Sequence, residues 1–167
     1  MAKELYVDPS KCTGCRTCEL VCSIKNEGMA NPVLSRIQII SDKTLGLRIP
    51  TFCLQCEDPV CMSVCPVGAL KKQGDLGLVR HDNDRCIGCR LCVMACPFGG
   101  IAINPLSSRI FKCELCDGEP ECVKACEEKA IRYEEADVEL MKKKRLVSQN
   151  LYLLLEKHTE RPIAGSM

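Results

Sequence analysis

Apolar positions along this chain come in short groups broken by glycine, proline and charge. Ile37 and Ile39 alternate with polar neighbours, as do Leu45, Leu47 and Ile49, and the polar stretch Ser41 to Thr44 separates the two sets. A period of two predicts a β-hairpin there. By default it packs in the core; the sharper alternative is contact with a partner. Residues 66–85, PVGALKKQGDLGLVRHDNDR, predict a short helical start, glycine turns and a strand at Leu78-Val79. The C-terminal stretch changes period. Val138, Met141, Leu146, Val147, Leu151, Leu154 and Leu155 approximate one helical face, with a phase slip near Lys142 to Arg145, and predict a helix from about Ala136 to Lys157. Its stripe serves either packing on the rest of the chain or docking on a partner. Arg161 to Met167 read as a frayed tail.

Composition explains why the apolar pattern is so thin. The chain has 167 residues with no Trp, three Phe and three Tyr, and subtracting its sixteen cysteines from the 46% hydrophobic content leaves about 36%. Few large side chains are available to fill an interior. The cysteines form four quartets with none left over: Cys12, Cys15, Cys18, Cys22; Cys53, Cys56, Cys61, Cys65; Cys86, Cys89, Cys92, Cys96; and Cys113, Cys116, Cys122, Cys126. The first and third share the spacing C-x2-C-x2-C-x3-C, and the second and third end in Cys-Pro. This is the bacterial ferredoxin run for a [4Fe-4S] cluster. The second and fourth widen the middle gap and keep the outer two.

The spacing follows from the shape of the cofactor. A cube has four iron corners, and a short loop with a thiolate every third residue reaches three of them; the fourth ligand comes from elsewhere, and in two-cluster ferredoxins it is the last cysteine of the other run. Gly14 and Gly88 hold matching places in CTGC and CIGC, where a residue without Cβ lets the backbone turn tightly; a simple turn glycine fits equally. Disulfides suit a secreted chain, but MAKELYVDPSKC has no apolar h-region, twin-arginine signal or cleavage site. Structural zinc favours separated pairs over triplets followed by Cys-Pro. The clusters therefore replace the missing core, and the apoprotein is expected to be largely unfolded.

Charge changes once the cofactor is counted. An oxidised cube with four thiolates carries about −2, so four of them shift the formal +1 to about −7. Lys11, Arg85 and Lys112 immediately precede the first cysteine of three quartets, and Arg16 and Arg90 occupy matched positions inside two. They are placed to offset cluster charge and raise potentials; each alone reads equally as a solvated cation. The basic run Met141 to Arg145, flanked by glutamates, reads as a solvated helix face and not as a nucleic-acid site. No apolar stretch approaches the roughly 20 residues of a membrane span. His81 and His158 read as surface residues. A soluble, cytoplasmic chain without direct membrane span is expected.

An internal repeat organises the chain. NPVLSRI, Asn31 to Ile37, recurs as NPLSSRI, Asn104 to Ile110, at an offset of 73, while the first and third quartets are offset by 74. The linker between Cys65 and Cys86 resembles that of small dicluster ferredoxins, so the second and third quartets make one unit, 53–96. By elimination the first and fourth make the other, from 1–52 with 97–132. Residues 133–167 form a helical extension and tail.

Four quartets with widened second and fourth members, from Cys12 through Cys126, resemble the four-cluster iron-sulfur subunits of molybdopterin and tungstopterin oxidoreductases. KCTGCRTCELVCSIKNEG followed by NPVLSRI is most similar to the small subunits of tungsten aldehyde oxidoreductases and benzoyl-CoA reductase. The resemblance implies an α+β fold of two pseudo-symmetric ferredoxin-like dicluster units plus a C-terminal helix, with four [4Fe-4S] clusters. It implies ligand sets of Cys12, Cys15, Cys18 and Cys126; of Cys113, Cys116, Cys122 and Cys22; of Cys53, Cys56, Cys61 and Cys96; and of Cys86, Cys89, Cys92 and Cys65. It further implies a non-catalytic electron-transfer subunit beside a tungsten- or molybdenum-pterin catalytic subunit, with a ferredoxin, flavin or NAD-reducing subunit as the other partner. The same opening is similar to electron carriers of carbon monoxide dehydrogenases and hydrogenases, and a free polyferredoxin is the remaining alternative. Self-association into a longer electron path also stays open.

Overall fold

The period of two around Ile37 is realised as strand β2 (Ile37–Asp42), which pairs antiparallel with β3 (Leu47–Phe52). A computed structural model of the chain describes residues 3–42, 46–74, 76–135 and 142. The expected helix over 136–157, apart from Lys142, lies outside these residues, as do His158 and the tail. In the hairpin, Ile37 stands opposite Phe52 and Ile39 opposite Pro50, and all four are buried. Leu47 and Ile49, which signalled the strand, are only half-buried, because the pairing places Ile49 beside the exposed Ile40 on the other face. The core face of β3 is Pro50 and Phe52.

The segment after Cys65 departs from expectation. Residues 66–69 make a turn and not a helical start, and Leu70–Gln73 is a strand, β4, antiparallel to β5 (Leu78–His81). Burial decides it: Leu70 on β4 and Val79 on β5 are almost fully enclosed, which rewards the pleated arrangement over a helix. The short helix α2 (Val60–Ser63) lies before Cys65 instead.

The remaining elements repeat this economy. Strand β1 (Lys3–Val7) pairs with β8 (Ile131–Glu135), so the two ends of the described chain form one ladder, with Lys3 opposite Glu135. Strands β6 (Ile101–Ile103) and β7 (Ile110–Lys112) form a third hairpin. Helix α1 (Thr17–Glu27) packs on α4 (Glu121–Lys124), and α2 packs on α3 (Leu91–Ala95). The repeated Asn-Pro motifs act alike. Asn31 Oδ1 accepts the Val33 N–H at 3.1 Å, Asn104 Oδ1 accepts the N–H groups of Leu106 and Ser107 at 2.9 and 3.1 Å, and each turn leads into the isoleucine that starts β2 or β7.

Two small cores result, and cysteines are part of both. One gathers Leu5, Ile37, Ile39, Phe52, Leu78, Leu115 and Ile131 around Cys18, Cys22 and Cys122. The other gathers Leu70, Val79, Ile101 and Ile110 around Cys61 and Cys92. Strand β5 joins them, since alternation sends Leu78 into the first and Val79 into the second. Four aliphatic side chains at about 1.5–3 kcal/mol each are a modest driving force for the second core.

Candidate iron-sulfur centres

The backbone of the two short-spaced runs is the same. Gly14 and Gly88 have φ of +73° and +71°, and Arg16 and Arg90 have φ of 62° and 63° as they cap α1 and α3. Each loop therefore makes two left-handed turns before its helix begins, which aims successive thiols at a common space. A Cβ on Gly14 would also sit 2.4 Å from Arg48 Cδ, which lies across the loop.

The loops bring the cysteines together in sets drawn from distant parts of the chain. Cys12, Cys15 and Cys18 share with Cys126 a cavity of about 140 Å³. Cys22 lines a second cavity with Cys113, Cys116 and Cys122, and Cys65 a third with Cys86, Cys89 and Cys92. Cys53 and Cys56 border a wider cleft of about 1060 Å³. Cys96 reaches them through Gly100, whose N–H donates to Cys96 Sγ at 3.3 Å and whose position leaves no room for a Cβ against the Cys53 backbone. Cys61 is close enough to feel both Cys53 and Cys96. Among the described residues no three Cys, His, Asp or Glu converge as ligands of one metal ion. A cube carries its four sulfur ligands on separate corners, so its ligands stand around a void and do not meet at a point.

The surroundings suit a bound group rich in acceptors. Arg36 N–H donates to Cys22 Sγ at 3.3 Å, Ala69 N–H to Cys65 Sγ at 3.2 Å and Leu115 N–H to Cys113 Sγ at 3.4 Å. Burial alone raises Cys65, but the backbone N–H groups of Ala69, Val67, Leu70 and Gly68 outweigh it and leave the thiol below its ordinary value. Arg36 Nε and His81 Nε2 are buried and have no hydrogen-bond partner among the described residues, and both residues line cysteine cavities. Sulfide and thiolate acceptors would satisfy the Arg36 donor. The donor set thus fits iron-sulfur clusters.

Other thiols are hard to ionise without iron. Burial pushes Cys18 up to about 12, with Glu19 adding to it, and pushes Cys113 up to about 12, with Cys22 and Cys53 adding and the Leu115 N–H and Lys112 opposing. Cys122 is raised by burial and by Cys113, Cys22 and Cys116. Relative to an unfolded thiol near 8.5, these groups disfavour the metal-free fold as pH rises from about 8.5 toward 12. Cluster binding runs the other way, since iron must expel their protons, so protons compete with iron. Iron loss to an anaerobic chelator is expected to accelerate as pH is lowered from about 8 to about 6, followed by the visible cluster absorbance. A flat profile would count against ligation by these thiols.

Sequence reasoning missed several participants. His81 is half-buried in the wall of the third cavity and is no surface residue. Burial lowers its imidazole pKa, with Glu114 and Asp82 opposing. Glu19, 3% exposed, accepts the Ile39 N–H on Oε1 at 2.6 Å and ties α1 to β2. Gln55 Nε2 donates to Cys113 O at 2.7 Å while its Oε1 accepts from Val79 N–H at 2.8 Å. Only the position of Gln55 inside the second quartet could have drawn attention to it.

Known protein families place this geometry. Residues 45–135 match the 4Fe-4S dicluster domain, and residues 5–23 match the 4Fe-4S binding domain. The chain belongs to the 4Fe-4S dicluster ferredoxin family. With sixteen cysteines, this ferredoxin has four [4Fe-4S] clusters as its cofactors. It is 38% identical over 124 residues to the polyferredoxin-like subunit of aliphatic sulfonate oxidoreductase from Pyrococcus furiosus, covering 74% of this chain and 71% of that one. It is 40% identical over 131 residues to the beta subunit of NADH-dependent phenylglyoxylate dehydrogenase from Aromatoleum evansii, covering 75% of this chain but only 29% of that longer subunit. Among solved structures, a chain of the BamBC active-site complex of benzoyl-CoA reductase with bound benzoyl-CoA overlays with a TM-score of 0.48 at 26% identity, over 96% of this chain and 98% of that one. Electron transfer through iron-sulfur clusters is the function of the ferredoxin. No helix among the described residues is long and apolar enough to cross a membrane.

Proposed function

We propose that this ferredoxin is the non-catalytic electron-transfer subunit of a cytoplasmic oxidoreductase complex. It carries electrons between a tungsten- or molybdenum-pterin catalytic subunit and a ferredoxin, flavin or NAD-reducing partner. The ligand sets are Cys12, Cys15, Cys18 with Cys126; Cys113, Cys116, Cys122 with Cys22; Cys53, Cys56, Cys61 with Cys96; and Cys86, Cys89, Cys92 with Cys65. Each bound cluster supplies reversible one-electron storage. Complete quartets leave no iron corner for substrate, which supports carriage over catalysis.

The observation that carries this reading is the junction between the two pairs of sets. Gln55, between Cys53 and Cys56 of the central pair, donates to Cys113 O of the outer pair at 2.7 Å, so the two pairs adjoin within one chain, which supports passage of electrons between them. Protein purified without oxygen is expected to hold about sixteen iron and sixteen sulfide per chain. Stoichiometric zinc without sulfide would refute the ligand sets. Native purification is expected to recover the chain in fixed ratio with a catalytic subunit containing tungsten or molybdenum. Elution alone would return it to the class of free polyferredoxins.

A further inference from the structure

Three cations precede the first cysteine of a quartet, and the fold treats them differently. Lys11 and Arg85 are exposed, whereas Lys112 is 1% exposed at the end of β7. Its Nζ donates to Val79 O at 2.5 Å and to Cys113 O at 3.0 Å. Gln55 bonds the same two residues, so Gln55, Val79, Lys112 and Cys113 form a closed ring between the Cys53–Cys56 loop, β5 and the start of the last quartet. Among the described residues no carboxylate forms an ion pair with Lys112; Glu114 pairs with Arg36 instead.

A buried ammonium held only by carbonyl dipoles is costly unless an anion lies nearby. The thiols around it say which anions those are. Burial raises Cys61, Cys53 adds to that, and Lys112 opposes; at Cys113 Lys112 again opposes the effect of burial. Geometry puts the charge between the two units: Nζ bonds Cys113 O at the start of the last quartet, and Gln55, between Cys53 and Cys56 of the second quartet, bonds the same carbonyl at 2.7 Å. On the ligand sets proposed above, these quartets serve two different clusters, each of charge about −2 when oxidised and about −3 after taking one electron. A fixed positive charge favours the more negative form and so raises the reduction potential.

We propose that Lys112 is the shared counter-charge of the two clusters that meet at the Cys53–Cys113 junction, making them easier to reduce and drawing electrons to the middle of the chain. This rests on the proposed ligand sets and goes beyond them by assigning a tuning role to a residue that ligates nothing. A lysine that only clips β5 to β7 would leave the potentials alone.

The test is an anaerobic potentiometric titration followed by electron paramagnetic resonance on the full chain carrying Lys112→Gln, which removes the charge and keeps N–H donors, beside Lys112→Arg, which keeps the charge. In Lys112→Gln two of the four clusters are expected to fall in potential by at least about a tenfold change in reduction equilibrium, 59 mV for one electron. In Lys112→Arg all four should stay near their original values. No shift, a shift of one cluster only, or a uniform shift of all four would overturn the proposal. If Lys112→Gln fails to retain four clusters, Lys112→Arg decides: retention there supports a need for the charge, and loss in both overturns it. Failure of the ligand sets would appear separately, as iron and sulfide counts short of four cubes in the unaltered chain.

Discussion

A chain carrying Cys22→Ser is expected to lose or degrade the cluster held by Cys113, Cys116 and Cys122 while keeping the one beside Cys12, Cys15 and Cys18. Cys22 belongs to the first run by sequence but lines the cavity of the last. It sits on α1 one turn beyond Cys18, and α1 packs on α4, which carries Cys122. Its sulfur is held by the Arg36 N–H at 3.3 Å and by Asn26 Nδ2 at 3.6 Å, so it cannot swing back to the first cavity without breaking both. Serine offers a harder, less acidic ligand for iron. Iron should fall by about one to four atoms per chain, the loss of one corner or of one cube. Resolved spin-coupled signals from single mutants identify the damaged cluster. Damage confined to the Cys12 set would show local ligation and sink the crossed sets.

Gly100→Ala is expected to damage the Cys53, Cys56, Cys61 and Cys96 site about as severely as loss of a ligand. An alanine Cβ would lie 2.6 Å from Cys53 Cα and 2.9 Å from Cys53 N, and backbone cannot move aside as a flexible side chain can. Overpacking costs about 1–3 kcal/mol in an ordinary core. Here the displaced atoms carry a ligand, and the Gly100 N–H also holds Cys96 Sγ, so the same shift separates two members of the set. Gly99→Ala is the control. It faces open space, and its φ of +62° imposes only a local strain of about 1–3 kcal/mol. Iron analysis should therefore show about four atoms lost in Gly100→Ala and near-complete retention in Gly99→Ala. Equal retention in both would mean that this contact does not hold the site.

These outcomes bear on what a sequence can reveal. Cysteine spacing exposes the ligands because cluster chemistry imposes it locally, within runs of eleven to fourteen residues. The Ile37 hairpin is legible for the same reason, since period two is a local signal. Burial is not local. Lys112, Lys11 and Arg85 look equivalent in the chain, and only the packing of β7 against β5 encloses one of them. His81 looks like a lone surface histidine until the β4–β5 hairpin turns it toward Cys65 and Cys86. Leu70 to Gln73 shows no strand alternation because only Leu70 is buried, so from the sequence the turn before it reads as a helix start. Gly100 and Gly99 are adjacent and chemically identical, and a single close approach separates their roles.

The pairing of β1 with β8 gives the molecule a history during its own synthesis. Chains leave the ribosome from the N-terminus, and domains generally fold as units as they emerge. On the proposed ligand sets the central ligands all lie between Cys53 and Cys96, so they are complete once that stretch is out. Cys12, Cys15 and Cys18 must wait for Cys126, and β1 must wait for Ile131–Glu135. A chain interrupted between these points would carry thiols that no cofactor can yet close over. On the proposed ligand sets, delivery of iron to the outer pair thus marks a chain synthesised at least through Glu135.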